Sequence, residues 1–390
     1  MKSAVHVLWA LATWSCLAMP ATGSPFLLVG SQTNAAVPEP VGLTIFGNTN
    51  GRLRALQHQS NATTGNQPTY MAVTQDRKFL YMTNEVPTGH IASFAIQDAG
   101  DGESLTLHPL GLAATESDGP VHLVPTKSGR FVLIASYNVG SITVMGVNAQ
   151  GLADTIVDQI VFTGGSGVVP GRQDGPHAHC VALSPNDDYA YGCRAFGAHI
   201  WYSFVTDLGN DRIMQYHFDA ATGRLTPNDP PAVDVGPGAL PRHMAFHPSG
   251  EHLFLTTEHS NELVKYRFDA ATGTLGRMAA VTTTHLSGVL TGAIHITPAG
   301  DYVLVSNRYG APASDDSVVV YSADLTHVGT YKTATWGGPR DFTITDDGFV
   351  FVANENRNSI DTFWLDATGR LVHAGLEQPS LYRPQVLLQF

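Results

Sequence analysis

His177 and His179, Arg242 and His243, and Arg340 and Asp341 each follow a proline that opens a short apolar strand. Asp207, Glu258, Arg308, Asn354 and Glu355 stand where other apolar strands end. Imidazole and carboxylate groups exchange protons, and guanidinium groups steady a developing oxyanion. Such a set therefore suits proton transfer beside a stabilised negative charge. His177 and His179 are two residues apart, point the same way on a strand and would suit a metal pair. No third ligand stands at recognisable spacing, so a metal is not the favoured reading. Structural roles compete with each functional one. The two histidines can form a hydrogen-bonded pair, Glu258 can simply pair with Arg242, and Asp207 can cap the turn at Leu208-Gly209-Asn210. Arg308 follows Ser306-Asn307 at the end of an apolar strand, where its charge calls for a carboxylate from the protein or from a ligand. The sequence contains no Gly-x-Ser-x-Gly elbow, phosphate-cradling loop or zinc-protease helix.

The elements that must carry these residues form a recurring phrase: a short strand, a Pro/Asp/Gly turn, a second apolar strand ending in a polar dyad, then a third strand. The clearest copy opens at Pro241-Arg242-His243 and continues through His252 to Glu258 and Leu263 to Phe268. Other copies open at Thr69, Pro120, Pro176, Gly292 and Pro339, with second strands ending near Glu85, Tyr137, Asp207, Arg308 and Glu355. The period of roughly fifty residues and the short antiparallel strands predict an all-β propeller. Phe26 to Gly30 and Val41 to Phe46 match a second and a third strand, and Arg383 to Phe390 matches a first. Pairing the C-terminal strand with the N-terminal ones would close a ring of seven blades and leave no sheet edge open at the seam.

In each blade the first strand lines the channel and runs antiparallel to the second. Strand starts and strand ends therefore meet on one face, at the channel mouth. Asp-Ala-Ala-Thr-Gly, at Asp219 to Gly223 and again at Asp269 to Gly273, reads as the turn between outer strands. The stretch from Arg194 to Phe204 interrupts the second strand of the fourth blade and reads as an outward loop that could shape a pocket rim.

Over 390 residues, 43% are hydrophobic and 14% charged, with 39 Gly and 23 Pro, which excludes a disordered chain or a coiled coil. Lys+Arg 21 against Asp+Glu 33 gives a net charge of -12, unfavourable for nucleic acid or an anionic membrane. Arg242, Arg308 and Arg340 gathered at one mouth of an acidic protein point instead to a small anion.

Residues 1–23 carry a charged start, an apolar run and a small-residue cleavage pattern, which predicts a secretory signal, with 24–390 as a single propeller domain. Secretion would make Asn61, in Asn61-Ala62-Thr63, a glycosylation site. It would also favour a disulfide between Cys180 and Cys193, which face each other if Pro185 to Asp188 is the turn of a hairpin. Two free thiols are the alternative.

The string Gly175-Pro176-His177-Ala178-His179, the run Asp207-Leu208-Gly209-Asn210-Asp211-Arg212, and Pro241-Arg242-His243 with Phe246-His247-Pro248 resemble the lactonase family of seven-bladed propellers. That family includes propeller-type 6-phosphogluconolactonases and fungal carboxy-cis,cis-muconate cyclases. The resemblance implies an enzyme that opens or forms a lactone of a small anionic substrate, without a cofactor. It places the catalytic set at His179, Arg242, Glu258 and Arg308, with His179 or Glu258 exchanging a proton and the arginines binding the anion. His177, Asp207, His243, Arg340, Asn354 and Glu355 are the expected substrate-binding neighbours. A non-catalytic secreted glycoprotein whose propeller is a binding scaffold is the alternative function.

Overall fold

The computed structural model describes residues 25–33, 40–185, 200–309, 315–376 and 378–390. They form seven four-stranded antiparallel sheets. Blade 1 is built from Phe26–Ser31, Val41–Thr49 and Arg52–Ser60, with the C-terminal Pro384–Gln389 as its innermost strand. Val29 faces Leu387 in that pairing, and Phe26 and Phe390 exchange backbone hydrogen bonds of 3.1 and 2.9 Å. The ring closes as the repeat count predicts.

The first two strands of the remaining blades are Pro68–Val73 and Phe79–Asn84, Pro120–Pro125 and Phe131–Ser136, Ala178–Leu183 and Ile200–Asp207, Pro241–Phe246 and His252–Thr257, Val289–Ile296 and Tyr302–Tyr309, and Pro339–Ile344 and Phe349–Asn354. Second strands such as Phe131–Ser136 are buried along their whole length, because their two faces pack against the sheets on either side. That is why they read as continuous apolar runs rather than as alternating ones. Gly129 at φ 68° and Gly348 at φ 87° close tight first-to-second strand turns, where a side chain would strain the backbone. The outer turns fall where Asp-Ala-Ala-Thr-Gly predicts: Gly223 N–H donates to Asp219 O at 2.7 Å and Gly273 N–H to Asp269 O at 2.8 Å.

Two expectations fail in blade 4. Trp201 to Phe204 belong to the second strand rather than to a loop, and Phe204 is fully buried against Phe246 and Phe268. The aromatic and polar alternation of Trp201-Tyr202-Ser203-Phe204 is itself a strand pattern, and packing against blade 5 selects it. Consequently Cys180 lies opposite Thr206, not Cys193, and is a buried free thiol. Its Sγ sits 3.4 Å from His122 Nε2. Cys193, residues 194–199 and the signal segment 1–23 lie outside the described residues. Asn61 begins a single helical turn, Asn61–Thr64, and its amide donates to Asn66 Oδ1 at 2.9 Å.

Candidate active site at the channel mouth

Each innermost strand carries a register shift near its start. The ladder steps over Thr69, Val121, His179, Arg340 and Gln385 singly, and over Arg242-His243 and Gly292-Ala293 as pairs. A bulge of this kind re-aims the extra side chain. Here it turns Thr69, Val121, His179, Arg242, His243, Arg340 and Gln385 into one small cavity on the ring axis. Hydroxyls of the second strands fix the bulges from the neighbouring blade. Thr206 Oγ1 accepts from Cys180 N–H at 2.9 Å and donates to Arg242 O at 2.9 Å, and Thr256 Oγ1 donates to Gly292 O at 3.1 Å.

Above this layer, the residues at the ends of the second strands complete a cavity of about 280 Å³. Glu85, Tyr137, Arg172, His179, Arg242, Glu258, Arg308, Tyr309 and Arg340 line it together with Val121 and Leu290. His179, Arg242, Glu258 and Arg308, which come from three blades, thus converge. Glu258 is their centre: Oε2 lies 3.2 Å from Arg242 Nε and 3.8 Å from Arg308 Nη2, and Oε1 lies 3.0 Å from Arg172 Nη2. Glu258, Arg242 and Arg308 are 5%, 3% and 3% exposed, so these charges depend on one another rather than on water. Burial alone would raise the Glu258 carboxyl, but Arg308, Arg242 and Arg172 together override it and hold the group below the usual carboxylate range. Burial, reinforced by Arg308, draws the Arg242 guanidinium below its ordinary value.

His179 is buried, and its Nδ1 has no hydrogen-bond partner among the described residues. Burial, then Arg242, Arg340, His122 and Arg308, keep the imidazole neutral far below its ordinary pKa. Among the described residues Arg308 Nε is likewise buried without a hydrogen-bond acceptor, and Arg242 Nε, though 3.2 Å from Glu258 Oε2, makes an ion pair there rather than an aligned hydrogen bond.

The remaining expected residues divide. Arg340 lines the cavity, 3.7 Å from Glu85 Oε2 and 3.6 Å from Glu355 Oε2. His243 lies in the axial cavity, its Nε2 3.2 Å from Arg242 Nη1. Glu355 stands behind Arg340, ion-paired also with Arg383, and Asn354 is fully buried; neither lines the cavity. His177 and His179 do not act as a pair, because the bulge at His179 separates their directions. His177 Nδ1 donates to Tyr137 O at 2.8 Å and its ring stacks on Tyr137 at 4.3 Å, so it positions a lining residue instead. Asp207 caps its turn, accepting from His177 N–H at 3.0 Å and from Asn210 Nδ2 at 2.6 Å. Among the described residues no group of three or more His, Cys, Asp or Glu is placed to hold a metal ion.

Six lining residues fall outside the expected set: Glu85, Val121, Tyr137, Arg172, Leu290 and Tyr309. Glu85 was legible: Thr83-Asn84-Glu85, Thr256-Thr257-Glu258 and Ala353-Asn354-Glu355 are the same repeat position. Tyr137 occupies that position in blade 3. Arg172 lies in the connection 162–177, which has no repeat counterpart.

The model of a family described as "Lactonase, 7-bladed beta-propeller" matches residues 26–384. The chain belongs to the lactonase family. Among relatives of this lactonase-family propeller, a 6-phosphogluconolactonase of Formosa agariphila is 28% identical over 357 residues, covering 88% of this chain and 94% of the relative. A 6-phosphogluconolactonase of Bacillus subtilis is 29% identical over 326 residues, covering 82% and 86%. Among solved structures, the periplasmic gluconolactonase of Pseudomonas aeruginosa superposes with a TM-score of 0.78 at 25% identity, over 93% of this chain and 98% of that one.

Proposed function

We propose that this protein hydrolyses the internal ester of a small anionic lactone, of the kind formed by sugar acids and their phosphates. The observation that carries the reading is the charge of the cavity. Arg172, Arg242, Arg308 and Arg340 share the cavity lining with two carboxylates, Glu85 and Glu258, while Glu355 meets Arg340 from behind the lining, so guanidiniums outnumber carboxylates in a protein of net charge -12. Such a focus selects a compact anion. Relatives named 6-phosphogluconolactonase and gluconolactonase support the lactone as substrate class.

In this reading the anionic tail of the substrate pairs with the guanidiniums, and Arg242 with Arg308 faces the lactone carbonyl. Charge develops on that oxygen as water adds, and preformed cationic donors in a buried site stabilise it without reorganising. Glu258 holds Arg172, Arg242 and Arg308 at fixed spacing, and the neutral His179 offers Nδ1 to the same oxygen or to the attacking water. A signal at residues 1–23 would direct the enzyme out of the cytosol, with a glycan at Asn61 in a host that adds one.

The test is a lactone panel that includes 6-phosphogluconolactone, gluconolactone and muconolactones, with hydrolysis measured above the buffer rate and with His179→Ala and Arg242→Ala as controls. Turnover that both substitutions abolish supports the reading. Rates equal to buffer for every lactone, with ligand binding intact, would favour the scaffold function instead. Cyclisation of a carboxymuconate in place of hydrolysis would reassign the reaction.

A further inference from the structure

Glu85, Glu258 and Glu355 occupy one repeat position in blades 2, 5 and 7, yet they differ in how firmly they are held. Among the described residues, Glu258 meets three guanidiniums, at 3.0, 3.2 and 3.8 Å. Glu355 is paired with Arg383 and, at 3.6 Å, with Arg340. Glu85 has, among the described residues, one ion pair, a long one of 3.7 Å to Arg340, and a third of its side-chain surface remains open while it lines the cavity. A carboxylate locked by several cations neither accepts nor returns a proton readily. A loosely held one facing the ligand space can do both.

We propose that Glu85 is the proton carrier of lactone opening, taking a proton from the attacking water and returning it to the ring oxygen. This assignment rests on the hydrolytic reading above. As the water oxygen bonds to the carbonyl carbon, one of its protons passes to the Glu85 carboxylate and the carbonyl electron pair moves onto oxygen, facing Arg242 and Arg308. When that pair returns, the bond from the carbonyl carbon to the ring oxygen breaks. The ring oxygen leaves with its electrons and takes the proton from Glu85. Lactone and water become one hydroxy acid, and Glu85 ends as it began.

The surroundings of the three glutamates agree with this division. Burial raises the Glu85 carboxyl, and Arg340 and Arg242 only partly offset it, while Glu355 raises it further. For Glu258 and Glu355 the neighbouring guanidiniums outweigh burial. The groups that face Glu85 are Arg340, Arg242, Glu355 and the Thr69 hydroxyl, and its charge acts in turn on Tyr137. His179 is the weaker candidate, because an imidazolium there would stand among Arg242, Arg340 and Arg308.

The experiment compares the full wild-type chain with Glu85→Gln and Glu85→Asp. It reads kcat and KM for 6-phosphogluconolactone and gluconolactone from pH 4.5 to 7, and the affinity for the product hydroxy acids by calorimetry. The expected result is a kcat about 10²- to 10⁴-fold lower in Glu85→Gln, with product affinity within about threefold of wild type at the same pH. The acid limb of the wild-type profile should vanish in Glu85→Gln and be retained in Glu85→Asp. A Glu85→Gln enzyme that keeps the limb, or keeps kcat within about threefold, overturns the assignment while leaving the hydrolytic reading standing. A wild type that accelerates no lactone removes both.

Discussion

Arg172 Nη2 lies 3.0 Å from Glu258 Oε1, which joins the connection 162–177 to the end of a strand in blade 5, across the mouth of the ring. The same nitrogen is 3.4 Å from Tyr137 Oη. Gln173 anchors the connection beneath it: fully buried, it donates from Nε2 to Leu208 O at 3.0 Å and accepts from Val169 N–H. Arg172 is therefore held over the cavity by a fixed base, as the third guanidinium on Glu258.

Removing that guanidinium should weaken ligand binding more than the fold. For Arg172→Ala we expect a rise in KM and a loss of about 10- to 100-fold in kcat/KM, the range for a charged hydrogen bond of about 1.5–3 kcal/mol. Thermal unfolding should change little, since a third of the side chain is exposed. Steady-state kinetics beside a melting curve checks both. A large loss of stability with unchanged KM would make Arg172 a structural tie only.

Gly292 is the blade 6 counterpart of Arg242 and Arg340 at the bulge, and its missing side chain is where Arg308 passes. A Cβ there would stand 2.5 Å from Ser306 Oγ and 3.1 Å from Arg308 Nε. Gly292→Ala should displace the Arg308 guanidinium and cost on the order of 10²-fold in kcat/KM, as a displacement of about 1 Å can. The accompanying destabilisation should be about 1–3 kcal/mol, as for other overpacked sites. Kinetics and denaturant unfolding of the variant test this, and unchanged kinetics would show that Arg308 is free to adjust.

Three imidazoles crowd the axis, His122 and His179 buried and His243 half-buried, with His122 stacked on Tyr70 at 3.8 Å. Burial, then Arg242, draws His122 down to about 3, and burial with the same arginine keeps His179 and His243 neutral. Above pH ~6.5 the folded and unfolded chains carry these groups alike, and their contribution is complete. As pH falls below that value the unfolded chain binds protons that the folded one refuses. Stability is then lost by about 1.4 kcal/mol per pH unit for each histidine. Urea unfolding between pH 7.5 and 5 should show this slope, smaller by one proton in His243→Gln. The same slope in both proteins would place the acid sensitivity elsewhere.

Much of this architecture could be read from the chain because each blade repeats one phrase. Six first strands and the C-terminal strand were visible, and the repeat alone dictates that Arg242, Glu258 and Arg308 meet at one mouth. Glu85 stood in the same phrase, but its role emerges only from comparing ion pairs that no spacing records. Arg172 was not legible, because its connection has no periodic pattern to place it. The Cys180–Cys193 pairing misled because a turn count from Pro185 starts the second strand too early. Packing of Tyr202 and Phe204 against blade 5 decides which residues form it.

The central claim is that the guanidinium-lined mouth opens small anionic lactones, and side-by-side initial rates of 6-phosphogluconolactone hydrolysis by wild type and Arg242→Ala test it most directly. The account predicts turnover well above buffer for wild type and a loss in kcat of about 10²- to 10³-fold on removing an oxyanion donor, with Arg242→Ala still folded by circular dichroism. Equal rates for the two folded proteins would contradict it.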